Sequence, residues 1–137
     1  EPSDSLIKSL AQKNVKLNVT AIMTTEQVSR AVGALNPNIP SYVSVFAGRI
    51  ADTGRDPMPI MLESVKLLQS NPKSELIWAS PRELLNIFQA DSIGCQVITA
   101  TNDILKKLSL VGYDLSTYSL DTVKMFYTDA TAAGFKL

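Results

Sequence analysis

Small polar residues and arginines stand at the ends of short apolar runs in this sequence. The run 17–22 contains Asn18 and Thr20, and the run 44–50 begins with Ser44 and reaches Arg49. A third run leads through Ser80 to Arg82. Such side chains supply hydrogen bonds and positive charge. In a β/α barrel the active site is formed by side chains that lie at the carboxyl ends of the strands, along one rim.

Composition narrows the chemistry available to this site. The 137 residues contain no histidine, which excludes Ser-His-Asp triads and histidine-ligated metals within the chain. Cys95 is the one cysteine, so no disulfide can form within the chain. Thirteen basic and thirteen acidic residues cancel, so the net charge favours neither nucleic acid nor an anionic membrane as a partner.

The elements that position these residues alternate between helix and strand. Apolar runs predict strands over 15–23, 42–47, 75–79 and 95–99, and a helical pattern follows each of them. Residues 24–27 are predicted to open one of these helices, Pro81 to start another and Ser119 to start the last, and residues 48–59 are predicted as a loop. This order predicts an α/β fold with a parallel sheet, in one domain over residues 1–137. No G-x-G-x-x-G or Walker A motif occurs, which favours part of a barrel over an open doubly wound sheet.

Four segments carry a specific resemblance. Residues 17–22, 44–57, 78–82 and 97–103 resemble, in order, barrel strands five to eight of the transaldolase family. The resemblance extends from about Leu6 to Ala130. It implies the C-terminal half of a (β/α)8 TIM-type barrel, with four parallel strands alternating with helices.

The resemblance also implies an activity. Transaldolases transfer a dihydroxyacetone unit between sugar phosphates in the pentose phosphate pathway, through a Schiff base on a lysine and without a metal or organic cofactor. In this family's pattern Asn18 and Thr20 contact sugar hydroxyls and the catalytic water, and Ser44 contacts the dihydroxyacetone portion. Arg49 and Arg82 hold the phosphate, with Ser80 beside it. A guanidinium suits this role because it binds phosphate through two parallel hydrogen bonds.

Each of these residues also has a simpler interpretation. Arg49 and Arg82 could form surface ion pairs, Asn18 and Thr20 could be satisfied by backbone, and Ser44 could be a small packing residue. The charged residues Asp52, Arg55 and Asp56 are interpreted as a loop, in which Asp56 caps the following helix.

The family's Schiff-base lysine is expected before Glu1, and no lysine of this chain replaces it by position. We therefore expect a transaldolase-type polypeptide without a catalytic residue of its own, inactive alone. The alternatives are a non-catalytic half barrel that dimerises or binds sugar phosphate, and an aldolase of the fructose 6-phosphate type, which needs the same lysine.

Two further expectations follow from the fold and the N-terminus. Four parallel strands leave two open sheet edges and an uncovered face, which predicts a homo-oligomer, most simply a dimer. The interior of the barrel is expected to be lined by residues that include Val43, Val45 and Ile77. The N-terminal residues lack a signal peptide, and no apolar run is long enough to span a membrane, so we expect a cytoplasmic protein.

Overall fold

The computed structural model describes residues 3–135 and contains four strands and seven α-helices within that range. The strands are β1 (Asn18–Ile22), β2 (Ser41–Val45), β3 (Ser74–Trp78) and β4 (Val97–Ile98). The helices are α1 (Asp4–Gln12), α2 (Thr25–Ala34), α3 (Ala47–Asp52), α4 (Met58–Leu68), α5 (Leu85–Ser92), α6 (Asn102–Lys106) and α7 (Leu115–Ala132). A short 3-10 helix covers Lys107–Leu110.

The four strands form one parallel sheet in the order β1-β2-β3-β4. Each strand therefore lies beside the next one in the chain, whereas a doubly wound sheet reverses direction at a switch point. Tyr42 pairs with Asn18 on one side and with Glu75 on the other. Sequential parallel strands alternating with helices confirm the predicted α/β half-barrel architecture.

The main core lies between the sheet and its helices. It contains Val43, Val45 and Trp78 from the strands, packed with Val28 of α2 and Met61 of α4. The expectation that Val43 and Val45 line the barrel interior is therefore wrong. Successive strand residues point to opposite faces, so these valines face the helices while their neighbours lie on the other face.

Local side-chain bonds explain where several elements begin. Thr24 and Gln27 form a reciprocal capping box at the start of α2, as the sequence predicts. Residues 47–52 form helix α3, although residues 48–59 are predicted as a loop. Helix α5 begins at Leu85 and not at Pro81, because the side chain of Asn86 binds the backbone N–H groups of the residues before the helix.

The chain divides into two compact units, Glu1–Leu105 and Lys106–Leu137. The first contains the whole sheet. The second contains the 3-10 helix and α7, which is capped by Asp114 and begins at Leu115, earlier than the sequence predicts. In this second unit Tyr113 donates to Asp121 over 2.8 Å and packs edge-to-face on Tyr118. Among the described helices, none is both long enough and apolar enough to cross a membrane.

Candidate functional site

The candidate site lies at the carboxyl ends of β2 and β3, where the chain approaches itself closely. The N–H of Gly48 donates to the carbonyl of Ala79 over 3.3 Å. A β-carbon on Gly48 would lie 1.5 Å from the carbonyl oxygen of Ser80, so only glycine fits here. Ser80 itself adopts a left-handed backbone with φ of 58°, which is uncommon for a residue with a side chain. These two segments are therefore fixed against each other.

Arg82 and Asp52 form the strongest polar contact at this rim. Nε of Arg82 donates to Oδ1 of Asp52 over 3.0 Å, and Nη2 donates to Oδ2. This two-point geometry joins α3 to the segment after β3. The hydrogen bonds from Arg82 are the largest cause that lowers the pKa of Asp52, and they raise the pKa of Arg82. Both side chains stay about half exposed, so solvent weakens the pair's contribution to stability.

Arg49 lies on the same short helix as Asp52, three residues earlier. Its positive charge also lowers the pKa of Asp52, after the larger effects of Arg82. The guanidinium carbon lies 5.8 Å from the ring centre of Phe46, and the residue is exposed to solvent. Helix α3 therefore carries Arg49 and contacts, through Gly48 and Asp52, the segment that carries Ser80 and Arg82.

Asn18 and Ser44 meet on the two neighbouring strands β1 and β2. Oγ of Ser44 donates to Oδ1 of Asn18 over 2.8 Å. Ser44 is buried, whereas Asn18 is exposed and keeps its amide N–H groups for other partners. The hydrogen bond from Ser44 therefore fixes the orientation of the Asn18 side-chain amide on the sheet.

Thr20 has a different setting from the other predicted residues. It is exposed and lines a cleft of about 210 Å³ that also contains Asp4 and Arg30, which pair with each other. The strand is irregular here: the register with β2 shifts between Val19 and Ile22, and Ala21 has φ of 61°. The structure places Thr20 beside α1 and α2.

The chemistry of this rim is that of an anion site. Arg82 retains three N–H groups that Asp52 does not use, and the exposed guanidinium of Arg49 adds a second permanent charge. A guanidinium group can bind a phosphate or carboxylate through charge-assisted hydrogen bonds. Within residues 3–135 there is no group of three or more His, Cys, Asp or Glu side chains placed to hold a metal ion.

Two residues that fix the rim were not predicted as part of it. Asp52 was interpreted as a loop residue, although the predicted neighbouring strands already place its segment beside that of Arg82. Asn86 is buried, and its Oδ1 accepts from the N–H of Arg82 over 2.8 Å. Nothing in the sequence marks Asn86, because its role depends on the left-handed turn at Ser80. Asp56 precedes Pro57, the N-cap residue of α4, and its Oδ1 accepts from the N–H of Met58, the first residue of the helix, over 2.9 Å.

Comparison with known proteins gives consistent matches. The family model "Transaldolase/Fructose-6-phosphate aldolase" matches residues 4–137. A probable transaldolase of Ruegeria sp. (strain TM1040) is 31% identical over 132 residues, covering 95% of this chain and 56% of that protein. One from Thermoplasma volcanium is 33% identical over 106 residues, covering 74% and 44%, and one from Nitrosopumilus maritimus is 31% identical over 105 residues, covering 74% and 45%.

The chain spans about half the length of the curated relatives that it matches. The family match covers nearly all of the described residues, including the strands, Arg49, Ser80 and Arg82. This protein chain belongs to the transaldolase/fructose-6-phosphate aldolase family.

Proposed function

We propose that this chain supplies the substrate-holding part of a transaldolase-type site, with Arg49 and Arg82 binding the phosphate of a sugar phosphate. The observation that carries the proposal is the two-point contact of Arg82 with Asp52 at the carboxyl ends of β2 and β3, made with the short helix that also carries Arg49. Two permanent positive charges beside one half-exposed carboxylate leave an excess of positive charge. A phosphate group is an anion that this positive charge can hold through charge-assisted hydrogen bonds.

The hydroxyl-bearing part of the sugar is proposed to lie over Ser44 and Asn18. Their 2.8 Å hydrogen bond fixes the oxygen of the amide and leaves its N–H groups to donate to a sugar hydroxyl. Thr20 is proposed to contact the substrate or the catalytic water from the same strand. Its exposure on β1 leaves the hydroxyl accessible. The proposed reaction is the transfer of a dihydroxyacetone unit between sugar phosphates, as in the pentose phosphate pathway.

The covalent step is proposed to need a lysine other than those described here. A lysine that forms a Schiff base must be desolvated, so that enough neutral amine exists near neutral pH. Every lysine within residues 3–135 is exposed to solvent. Lys16, which precedes β1, lies 4.9 Å from the ring centre of Tyr42, away from the arginines' end of the sheet. The 137 residues alone are therefore expected to bind substrate without converting it. If the protein also binds substrate without converting it in the cell, its role is that of a non-catalytic sugar-phosphate-binding module.

A second copy of the chain is the proposed partner. In the described sheet β1 pairs only with β2 and β4 only with β3, so each outer strand has an unpaired edge. Polar residues Asn18 and Glu75 are exposed on the strands. Association of two sheets would cover these edges and the face that the helices leave open.

Titration with inorganic phosphate tests the proposed site. We expect Arg49→Gln and Arg82→Gln each to weaken phosphate binding by about tenfold or more, because each removes charge-assisted hydrogen bonds. Arg55→Gln is the matched control. Arg55 follows the same helix but donates to Thr53 over 3.3 Å, so its variant should bind phosphate within about twofold of the wild-type chain. Equal binding by all four proteins would contradict the proposal.

A further inference from the structure

One edge of the Arg82 guanidinium donates hydrogen bonds to Asp52, and the N–H groups of another edge are available to a ligand. Asp52 takes the Nε–H and one N–H of Nη2, which leaves the second N–H of Nη2 and both N–H groups of Nη1. The remaining Nη1 and Nη2 groups form a second edge that can hold two phosphate oxygens at once. We propose that Asp52 is a positioning residue that holds Arg82 with this second edge presented to the phosphate group. This inference rests on the proposed function.

The backbone around Arg82 is already fixed, which leaves its side chain as the part that needs a partner. Gly48 packs against the carbonyl of Ser80, and Ser80 adopts its left-handed conformation there. Asn86 accepts from the backbone N–H groups of both Arg82 and Glu83, over 2.8 and 3.1 Å. An arginine side chain, however, has many rotamers and loses most of this freedom when it binds. The two hydrogen bonds to Asp52 remove that freedom before the ligand arrives.

Helix α3 is well placed to impose this orientation. Asp52 is its last residue, and the helix starts at Ala47, immediately before the glycine that contacts Ser80. The same helix carries Arg49, whose charge helps to keep Asp52 ionised by lowering its pKa. One short helix therefore carries one arginine and the carboxylate that orients the other.

Two explanations of Asp52 predict opposite changes in phosphate affinity. If Asp52 were only a negative charge near the site, its removal would strengthen phosphate binding, because like charges repel. If Asp52 positions Arg82, its removal weakens binding, because the free side chain must then be ordered by the ligand. The sign of the change distinguishes the two.

The experiment measures the dissociation constant for inorganic phosphate, at one low salt concentration, for the wild-type chain and its variants. We expect Asp52→Asn to weaken binding by about three- to tenfold. Asp52→Glu keeps a carboxylate and should recover part of this loss. Glu83→Gln is the control, since it removes the same charge from the residue next to Arg82; it should bind phosphate as tightly as the wild-type chain or slightly more tightly. Thermal unfolding of each variant shows that the comparison is between folded proteins.

Phosphate binding by Asp52→Asn that equals or exceeds that of the wild-type chain would overturn the positioning role. If Arg82→Gln still loses binding in that case, the proposed phosphate site stands without it. If neither the arginine variants nor Asp52→Asn change binding, both proposals are wrong. Should Asp52→Asn fail to fold, Asp52→Glu decides, because it must bind phosphate more weakly than the wild-type chain and more tightly than Arg82→Gln.

Discussion

The α-carbon of Gly48 faces the carbonyl oxygen of Ser80 so closely that a β-carbon would lie 1.5 Å from it. This contact joins the start of α3 to the turn after β3, and with them the segments that carry the two arginines. The obstacle is backbone, which cannot rotate away as a flexible side chain would. The geometry of the candidate site therefore depends on a residue with no side chain.

Gly48→Ala should destabilise the chain by about 1–3 kcal/mol or more, because the added methyl group forces the two segments apart. Urea unfolding followed by circular dichroism measures the change. Gly33→Ala is the matched control. Gly33 lies within α2 with nothing within 4 Å of its β-carbon position, so alanine should stabilise the helix by about 0.5–1 kcal/mol. Equal effects of the two variants would contradict the close contact.

The capping box of α2 gives a second stability prediction. Oγ1 of Thr24 accepts from the N–H of Gln27 over 3.2 Å, and the side chain of Gln27 accepts from the N–H of Thr24 over 3.1 Å. Thr24→Ala should lower the free energy of unfolding by about 1 kcal/mol. Ser3 precedes α1 without a side-chain cap bond, so Ser3→Ala should change it by less than about 0.5 kcal/mol. A Ser3 variant as destabilised as the Thr24 variant would show that the capping bond is not the cause.

Acid should remove the contribution of the Asp52–Arg82 pair to stability. The pKa of Asp52 is lowered from its ordinary value of 3.8 in the folded chain, chiefly by hydrogen bonds from Arg82. A lowered pKa means that the unfolded state binds the proton more readily, so the contribution is present above 3.8 and is lost as the pH falls through the folded-state pKa.

The stability difference between the wild-type chain and Asp52→Asn should therefore be largest near pH 7 and should shrink in acid. Urea unfolding of both proteins across the acidic range measures this difference. The pKa values of other carboxylates, such as Asp114 and Asp121, are also lowered, but their effects are the same in both proteins and cancel in the difference. A difference that grows as the pH falls would contradict the assigned direction of the shift.

The open edges of the sheet predict self-association. Light scattering should give a molar mass at least twice the 14.9 kDa of one chain at micromolar concentration, because within residues 3–135 the outer strands β1 and β4 each pair on one side only. A dilution series gives the strength of the association. A monomer that melts cooperatively at the same concentration would contradict the proposed homo-oligomer.

Much of the fold could be predicted because apolar runs and turn residues act locally. The capping box at Thr24 and all four strands follow from sequence pattern, and so does the alternation of strands and helices, except for α3, which forms where a loop is expected. The face to which each strand residue points could not be predicted from apolar character alone. Val43 and Val45 pack in the core with the helices, and Ser44 between them points to the opposite face because successive residues of a strand alternate.

The candidate site could be predicted only in part, for a similar reason. The positions of Arg49 and Arg82 after their strands are visible in the sequence. Asp52, the partner of Arg82, is 30 residues from it in the sequence and is brought to it by the parallel pairing of β2 with β3. The left-handed turn at Ser80 could not be predicted either, because such turns are usually recognised by a glycine and this one has a serine. The turn packs against Gly48, which is distant in the sequence.

These 137 residues are proposed to hold a sugar phosphate without bonding to it covalently. The most direct test is to incubate the chain with fructose 6-phosphate, reduce with borohydride and measure the intact mass. Reduction would convert any imine into a stable secondary amine on lysine. We predict an unchanged mass, since the described lysines are exposed and solvated. A reduced adduct on any lysine of this chain would contradict the account.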